Sequence, residues 1–206
     1  MLTIYNAEDN SYSVVEEPDS SLNYTYADYL KWKFEERLEL IKGKVFKMSP
    51  APSKAHQAVC RNLLVVMATF LKKKKCQIFS APFDVRLPVK NKSKDNEIST
   101  VVQPDICVIC DESKLDERGC CGAPDLIIEI LSPGNSKKEI RIKFELYEEA
   151  GVKEYWIINP VEENLITYLL KENGKYQNTG LYTGGDIINT PVLPGLEINA
   201  SEIFEK

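Results

Sequence analysis

The chain has 206 residues, of which 43% are hydrophobic and 28% charged, with a formal net charge of −5. That length suits one domain with enough chain to bury a core, and the composition is ordinary for a globular protein and argues for solubility rather than disorder. The acidic balance excludes a general, non-specific nucleic-acid coat, which needs a positive field, but leaves room for a local basic groove.

The longest apolar stretch, "LLVVMATFL" at 63–71, is too short to span a bilayer, and the opening "MLTIYNAEDN" lacks the basic start and apolar run of a signal peptide. No membrane partner and a cytoplasmic location are therefore expected. The six cysteines are expected to be reduced thiols.

In chain order, "TYADYLKWKFEE" has helical spacing with Thr25 as its cap, and "RLELIKGKVFKM" reads as a hairpin around Lys42-Gly43. A second helix is predicted over about 54–72, with Val59, Leu63, Val66 and Phe70 on one stripe. "KKKK" at 72–75 follows it and complements the negative end of its dipole. "CQIFSAPFDVRLPV" supplies strand residues, "KNKSKDNEIST" a polar loop or hairpin tip, and "VVQPDICVIC" the next strand. After the connection "DESKLDERGCCGA" comes the strand "DLIIEIL". A third helix is predicted over about 137–150, with Ser136 and Glu139 in capping-box spacing and Gly151 as its stop. "KEYWIINP" is a further strand, and the remainder is β-rich, with turns at Asn173-Gly174 and Gly184-Gly185.

Glu129 is the only charge in the apolar run Leu126 to Leu131. A run of that length reads as a strand covered on both faces, where an ionised carboxylate needs a cation because desolvating it alone is costly. The following helix supplies one. At about 100° per residue from Ile140, Lys143 falls near 300°, between Ala150 and Tyr147 and inside the apolar arc. It therefore points at the sheet rather than at solvent. By itself a buried Lys–Glu pair reads as structural. Asp105, at the head of "QPDICVICD", adds a second carboxylate, and two acids with a lysine make a metal-and-water site for attack on phosphorus.

The blocks "RLELIKGKVFKMSPAPSKAHQ", "APFDVRL", "QPDICVICD", "PDLIIEILSP" and "KFELYEEAGVKEYWIINP" resemble, in that order, the signature blocks of the Uma-two family. That family is grouped with the endonucleases of the PD-(D/E)XK superfamily, and the resemblance runs from "TYADYL" to "LPGLEINASEIF". It implies that Asp105 is the metal-binding aspartate, Glu129 the acid of the (D/E)XK half-motif, and Glu39 an additional acid for an outer or second metal position. Leu131 stands where the superfamily's lysine usually follows, and the resemblance passes that role to Lys143. Lys42 departs from the acidic residue that the family commonly places before Gly43.

Other candidates have plainer readings. His56 stands where the family often has a histidine, but a lone His is more often a packing or capping residue, so it is left out of the site. Asp84 either lines the same cleft or pairs across the strand with a residue such as Arg86. Asp125 faces the same side as Glu129 and reads as a turn residue. Cys107 and Cys110 are three apart in a strand and face opposite sides, which argues against a shared zinc.

The expected fold is thus α/β, a restriction-endonuclease-like core with a central mixed sheet flanked by helices, plus a β-rich C-terminal extension. A single domain is expected, with its core at about 25–160 and the extension at about 161–206. The expected activity is Mg²⁺-dependent phosphodiester hydrolysis, with Mn²⁺ as a substitute metal and DNA as the partner. Catalysis is assigned to Asp105, Glu129, Lys143 and Glu39, and metal binding to Asp105, Glu129 and Glu39. "KNKSK" and the basic start of the third helix are candidate phosphate contacts, and a homodimer is an expectation of the resemblance. The alternative is a non-catalytic scaffold on the same fold that binds nucleic acid or protein.

Overall fold

The computed structural model describes residues 2–6, 11–15, 21–33, 37–48, 52–89, 93–132 and 137–205. Ser136, the expected cap of the third helix, and residues 90–92 of the basic loop lie outside them. Strands β1 (Leu2–Asn6) and β2 (Ser11–Val15) form a hairpin, and β1 also pairs antiparallel with β3 (Trp32–Lys33). Helix α1 (Tyr26–Tyr29) is a single turn, at whose start the backbone and hydroxyl of Thr25 both donate to Asp28 Oδ2. The longer helix expected over "TYADYLKWKFEE" is cut short because Trp32 and Lys33 join a strand pair, a tertiary contact that overrides local spacing.

The hairpin of β4 (Leu38–Ile41) and β5 (Lys44–Lys47) turns at Lys42 (φ 50°) and Gly43 (φ 80°). Two consecutive positive φ values are what a type I′ turn requires. This hairpin ends a second sheet ordered β10-β11-β7-β8-β4-β5, with β7 (Val85–Arg86), β8 (Val101–Val102), β10 (Leu115–Asp116) and β11 (Gly119–Cys121). Helix α2 (Lys54–Leu71) matches the predicted span. Its buried stripe runs through His56, Val59, Leu63, Met67 and Leu71, while Val66 and Phe70 are only partly covered.

The central sheet is mixed and six-stranded, in the order β15-β14-β13-β12-β9-β6. It contains β6 (Gln77–Ser80), β9 (Ile106–Ile109), β12 (Leu126–Ile130), β13 (Glu154–Asn159), β14 (Asn164–Leu170) and β15 (Tyr176–Tyr182). Only β12 and β13 run parallel, and α3 (Lys137–Ala150) is their crossover; the other neighbours are antiparallel. Gly151, at φ 84°, stops that helix.

The β-rich C-terminal part extends this sheet through β14 and β15. It ends in the hairpin of β16 (Ile187–Asn189) and β17 (Glu197–Asn199) and in helix α4 (Ala200–Phe204). Strand β12 distributes its side chains with period two. Leu126, Ile128 and Ile130 pack with α2 and the α4 region, and Ile127 packs with α3. Each such buried aliphatic side chain contributes roughly 1.5–3 kcal/mol. The same alternation turns Glu129 toward α3.

One strand expected as continuous is interrupted. "VVQPDICVIC" divides into β8 and β9 at Gln103-Pro104-Asp105, where the chain passes from the second sheet to the central one. The passage leaves Asp105 just ahead of β9.

The cysteine expectation is corrected by the structure. Cys76 and Cys110 form a disulfide, next to the Gln77–Ile109 pair that joins β6 to β9. Cys60, Cys107, Cys120 and Cys121 are free, and Cys107 is buried on the α3 face, away from Cys110. Among the described residues no helix is long and apolar enough to cross a membrane.

Candidate active site

Three elements bring the central cluster together. Strand β4 carries Glu39, β12 carries Glu129, and α3 carries Lys143 and Tyr147 one turn apart. Lys143 Nζ donates to Glu129 Oε1 at 2.9 Å and to Glu39 Oε1 at 3.0 Å. Tyr147 Oη donates to the same Glu129 oxygen at 2.6 Å, and the Gln103 backbone N–H donates to Glu39 Oε1 at 2.9 Å. Lys143 thus points into the protein, as its place in the apolar arc predicts.

Asp105 approaches from the head of β9. Its Oδ2 accepts the Ile130 backbone N–H at 2.7 Å, one residue beyond Glu129, and has His56 Nε2 at 3.2 Å. In all three acids, the contacts with described residues converge on one carboxylate oxygen. The other oxygen takes no hydrogen bond from a described residue.

The electrostatics follow from two carboxyls, Glu39 and Glu129, sharing one ammonium, with Asp105 acting on Glu129 as a further negative charge. The Glu129 carboxyl is raised to about 7, chiefly by burial and further by Asp105 and Glu39, against the downward pull of Lys143 and Tyr147. Burial works to lower the Lys143 pKa, but Glu129 and Glu39 outweigh it and hold the lysine well above its ordinary range. Lys143 is therefore a permanent cation near neutral pH. Burial also raises the Tyr147 hydroxyl, so it serves as a donor and not as a base.

The remaining candidates separate. Asp84 is not paired with Arg86. It accepts from Gln103 Nε2 at 2.9 Å and from the Tyr26 and Tyr29 hydroxyls at 3.4 Å each, while Arg86 pairs with Asp116 at 2.6 Å. Gln103 thereby links Asp84 to Glu39 through its own side chain and backbone. Asp125 is an anchor, accepting from the Cys110 backbone at 2.7 Å and from Lys153 at 2.6 Å.

From sequence alone His56 has a packing or capping role and Tyr147 is only part of an apolar arc. Tyr147 was recoverable, because it lies four residues from Lys143 on the same helix face and a buried phenol needs a partner. No local signal ties His56 to Asp105.

Mg²⁺ is ordinarily held by one or two carboxylates together with waters and phosphate oxygens. Among the described residues, no group of three or more His, Cys, Asp or Glu side chains is arranged to hold a metal ion. The donor chemistry nevertheless fits a hard divalent ion. Among the described residues each acid is held through one oxygen, and the three acids outnumber the single lysine in the cluster.

A family model described as "Uma2: Putative restriction endonuclease" matches residues 26–201. A similar solved structure is that of "a putative nuclease belonging to DUF820 from Anabaena variabilis ATCC 29413", at TM-score 0.69 and 21% identity. The match covers 88% of this chain and 97% of that one, and at this identity it shows a shared fold. No curated protein matches the sequence significantly.

Proposed function

Because the chain belongs to the Uma2 family, described as putative restriction endonucleases, we propose that it is a Mg²⁺-dependent phosphodiesterase acting on DNA, with Mn²⁺ as a substitute metal. Asp105 and Glu129 would hold the metal, and Glu39 would hold a second ion or a metal-bound water. The observation that carries the reading is the convergence of Glu39, Glu129 and Lys143 from two sheets and a helix on a part-buried point.

When bound, the metal would supply Lewis-acid polarisation of the phosphate and a more acidic water. The protein's own groups do the rest. Lys143, held protonated by two acids, is an electrostatic group and a donor. It orients a water or phosphate oxygen and offsets negative charge that develops at phosphorus. It is not a general base, because its raised pKa keeps the lone pair occupied. Tyr147 and the Ile130 and Gln103 backbone amides fix the orientation of the three carboxylates.

The direct test is incubation of the purified protein with duplex DNA and, separately, with RNA in millimolar Mg²⁺, with a chelator control. Cleavage of DNA that the chelator abolishes supports the reading. Metal-independent cleavage would overturn the metal dependence, whereas no cleavage in Mg²⁺ or Mn²⁺ would favour a scaffold on this fold.

A further inference from the structure

His56 is the chain's single histidine and lies in the first turn of α2, where its backbone N–H bonds Ser53 Oγ at 3.2 Å. The residue is 5% exposed. Nε2 stands 3.2 Å from Asp105 Oδ2, and Nδ1 is buried with no hydrogen-bond partner among the described residues. A ring nitrogen this close to a carboxylate oxygen is favourable only when it carries a proton. The surroundings therefore assign a proton to Nε2 and leave Nδ1 without a partner among the described residues.

An unpaired buried polar atom is destabilising, so packing alone does not account for a histidine here. Here the one contact that the ring does make falls on a candidate metal ligand. Asp105 Oδ2 then has two protein partners, the Ile130 N–H and His56 Nε2. Both act on the same oxygen, which sets the direction in which Oδ1 faces. Groups that hold a metal ligand in this way typically change metal affinity or activity about 10–100-fold when removed.

Resting on the assignment of Asp105 as a metal ligand, we propose that His56 is a positioning residue whose Nε2–H fixes Asp105 with Oδ1 turned toward the metal. The role belongs to Nε2 alone. His56→Gln reaches far enough to keep an N–H near that position, whereas His56→Asn reaches only to the place of Nδ1 and His56→Leu has no donor.

The test is a Mn²⁺ titration, read by the concentration at the midpoint of the metal-induced thermal shift, on the wild-type chain and the three variants. His56→Leu and His56→Asn are expected to raise the midpoint about 10–100-fold, with His56→Gln recovering most of the loss. A packing role would lower the melting temperature of all three without this pattern. A folded His56→Leu protein with the wild-type midpoint would overturn the proposal.

A metal-free crystal structure of His56→Leu gives a second, independent readout. The Asp105 carboxylate is expected to rotate, taking Oδ2 off the Ile130 amide, and an unmoved Asp105 would also overturn the role. If the wild-type chain shows no Mn²⁺ response, the metal reading fails, while this structural comparison still decides whether His56 positions Asp105.

Discussion

Lys143 Nζ sits 2.9 Å from Glu129 Oε1 and 3.0 Å from Glu39 Oε1, so one lysine serves an acid from each of the two six-stranded sheets. The arrangement is under-neutralised, and replacing the lysine exposes what it balances. Lys143→Met keeps length and apolar packing but strands two part-buried carboxylates, at a cost of roughly 3–5 kcal/mol. If the cluster is a metal site, Mg²⁺ should restore much of that stability, giving a larger metal-induced thermal shift than in the wild-type chain. Cleavage should nonetheless be lost. If the pair is only structural, metal restores nothing, and combining Glu129→Gln with Lys143→Met recovers the loss instead.

The pH dependence of stability follows from Glu129. Its folded pKa is raised from the ordinary 4.5 to about 7, chiefly by burial. The folded state therefore binds the proton more tightly than the unfolded chain does. The resulting stability is fully present below 4.5 and is lost as pH rises through about 7. Urea melts of the metal-free wild-type and Glu129→Gln proteins should show the wild type losing ground to the variant across that window. A constant difference between the two would show that Glu129 does not titrate there.

Tyr147→Phe removes only the hydroxyl that reaches Glu129 at 2.6 Å and leaves the ring against Tyr155, with centroids 5.1 Å apart. Losing a donor to a charged acceptor should cost roughly 1.5–3 kcal/mol. Because the donor stabilises the ionised acid, the cost should be larger at pH 8 than at pH 5. Equal losses at the two pH values would place the effect in packing.

The cysteines give a chemical check on strand order. Under denaturing, non-reducing conditions the protein should titrate as the four thiols of Cys60, Cys107, Cys120 and Cys121, and as six after reduction. Removing the cross-link should cost roughly 2–4 kcal/mol of stability. Six thiols before reduction would show that β6 and β9 are not covalently joined.

Periodicity is local, and what it governs was legible in the sequence. The lone charge in the apolar run marked Glu129 as needing a cation, and the helical period placed Lys143 on the sheet-facing side. In the Lys42-Gly43 turn only Gly43 is a residue type that suits the positive φ, and Lys42 adopts it without that preference. Legibility ended where a long-range partner decides. Trp32 and Lys33 leave a helical pattern to pair with β1, and the apolar segments on either side of Gln103-Pro104-Asp105 read as one strand although they belong to different sheets. The Cys76–Cys110 bond depends on β6 lying beside β9, and the His56–Asp105 contact on α2 covering the head of β9. Neither adjacency leaves a trace in local spacing.

The central claim, that Asp105 and Glu129 hold a divalent ion beside Lys143, is tested most directly by a crystal structure grown with Mn²⁺ and read by anomalous scattering. The account predicts one strong peak a little over 2 Å from an oxygen of each carboxylate, with Lys143 still inside the protein. A well-ordered structure whose Mn²⁺ binds elsewhere, with Lys143 bridging Glu39 and Glu129 undisturbed, would contradict it.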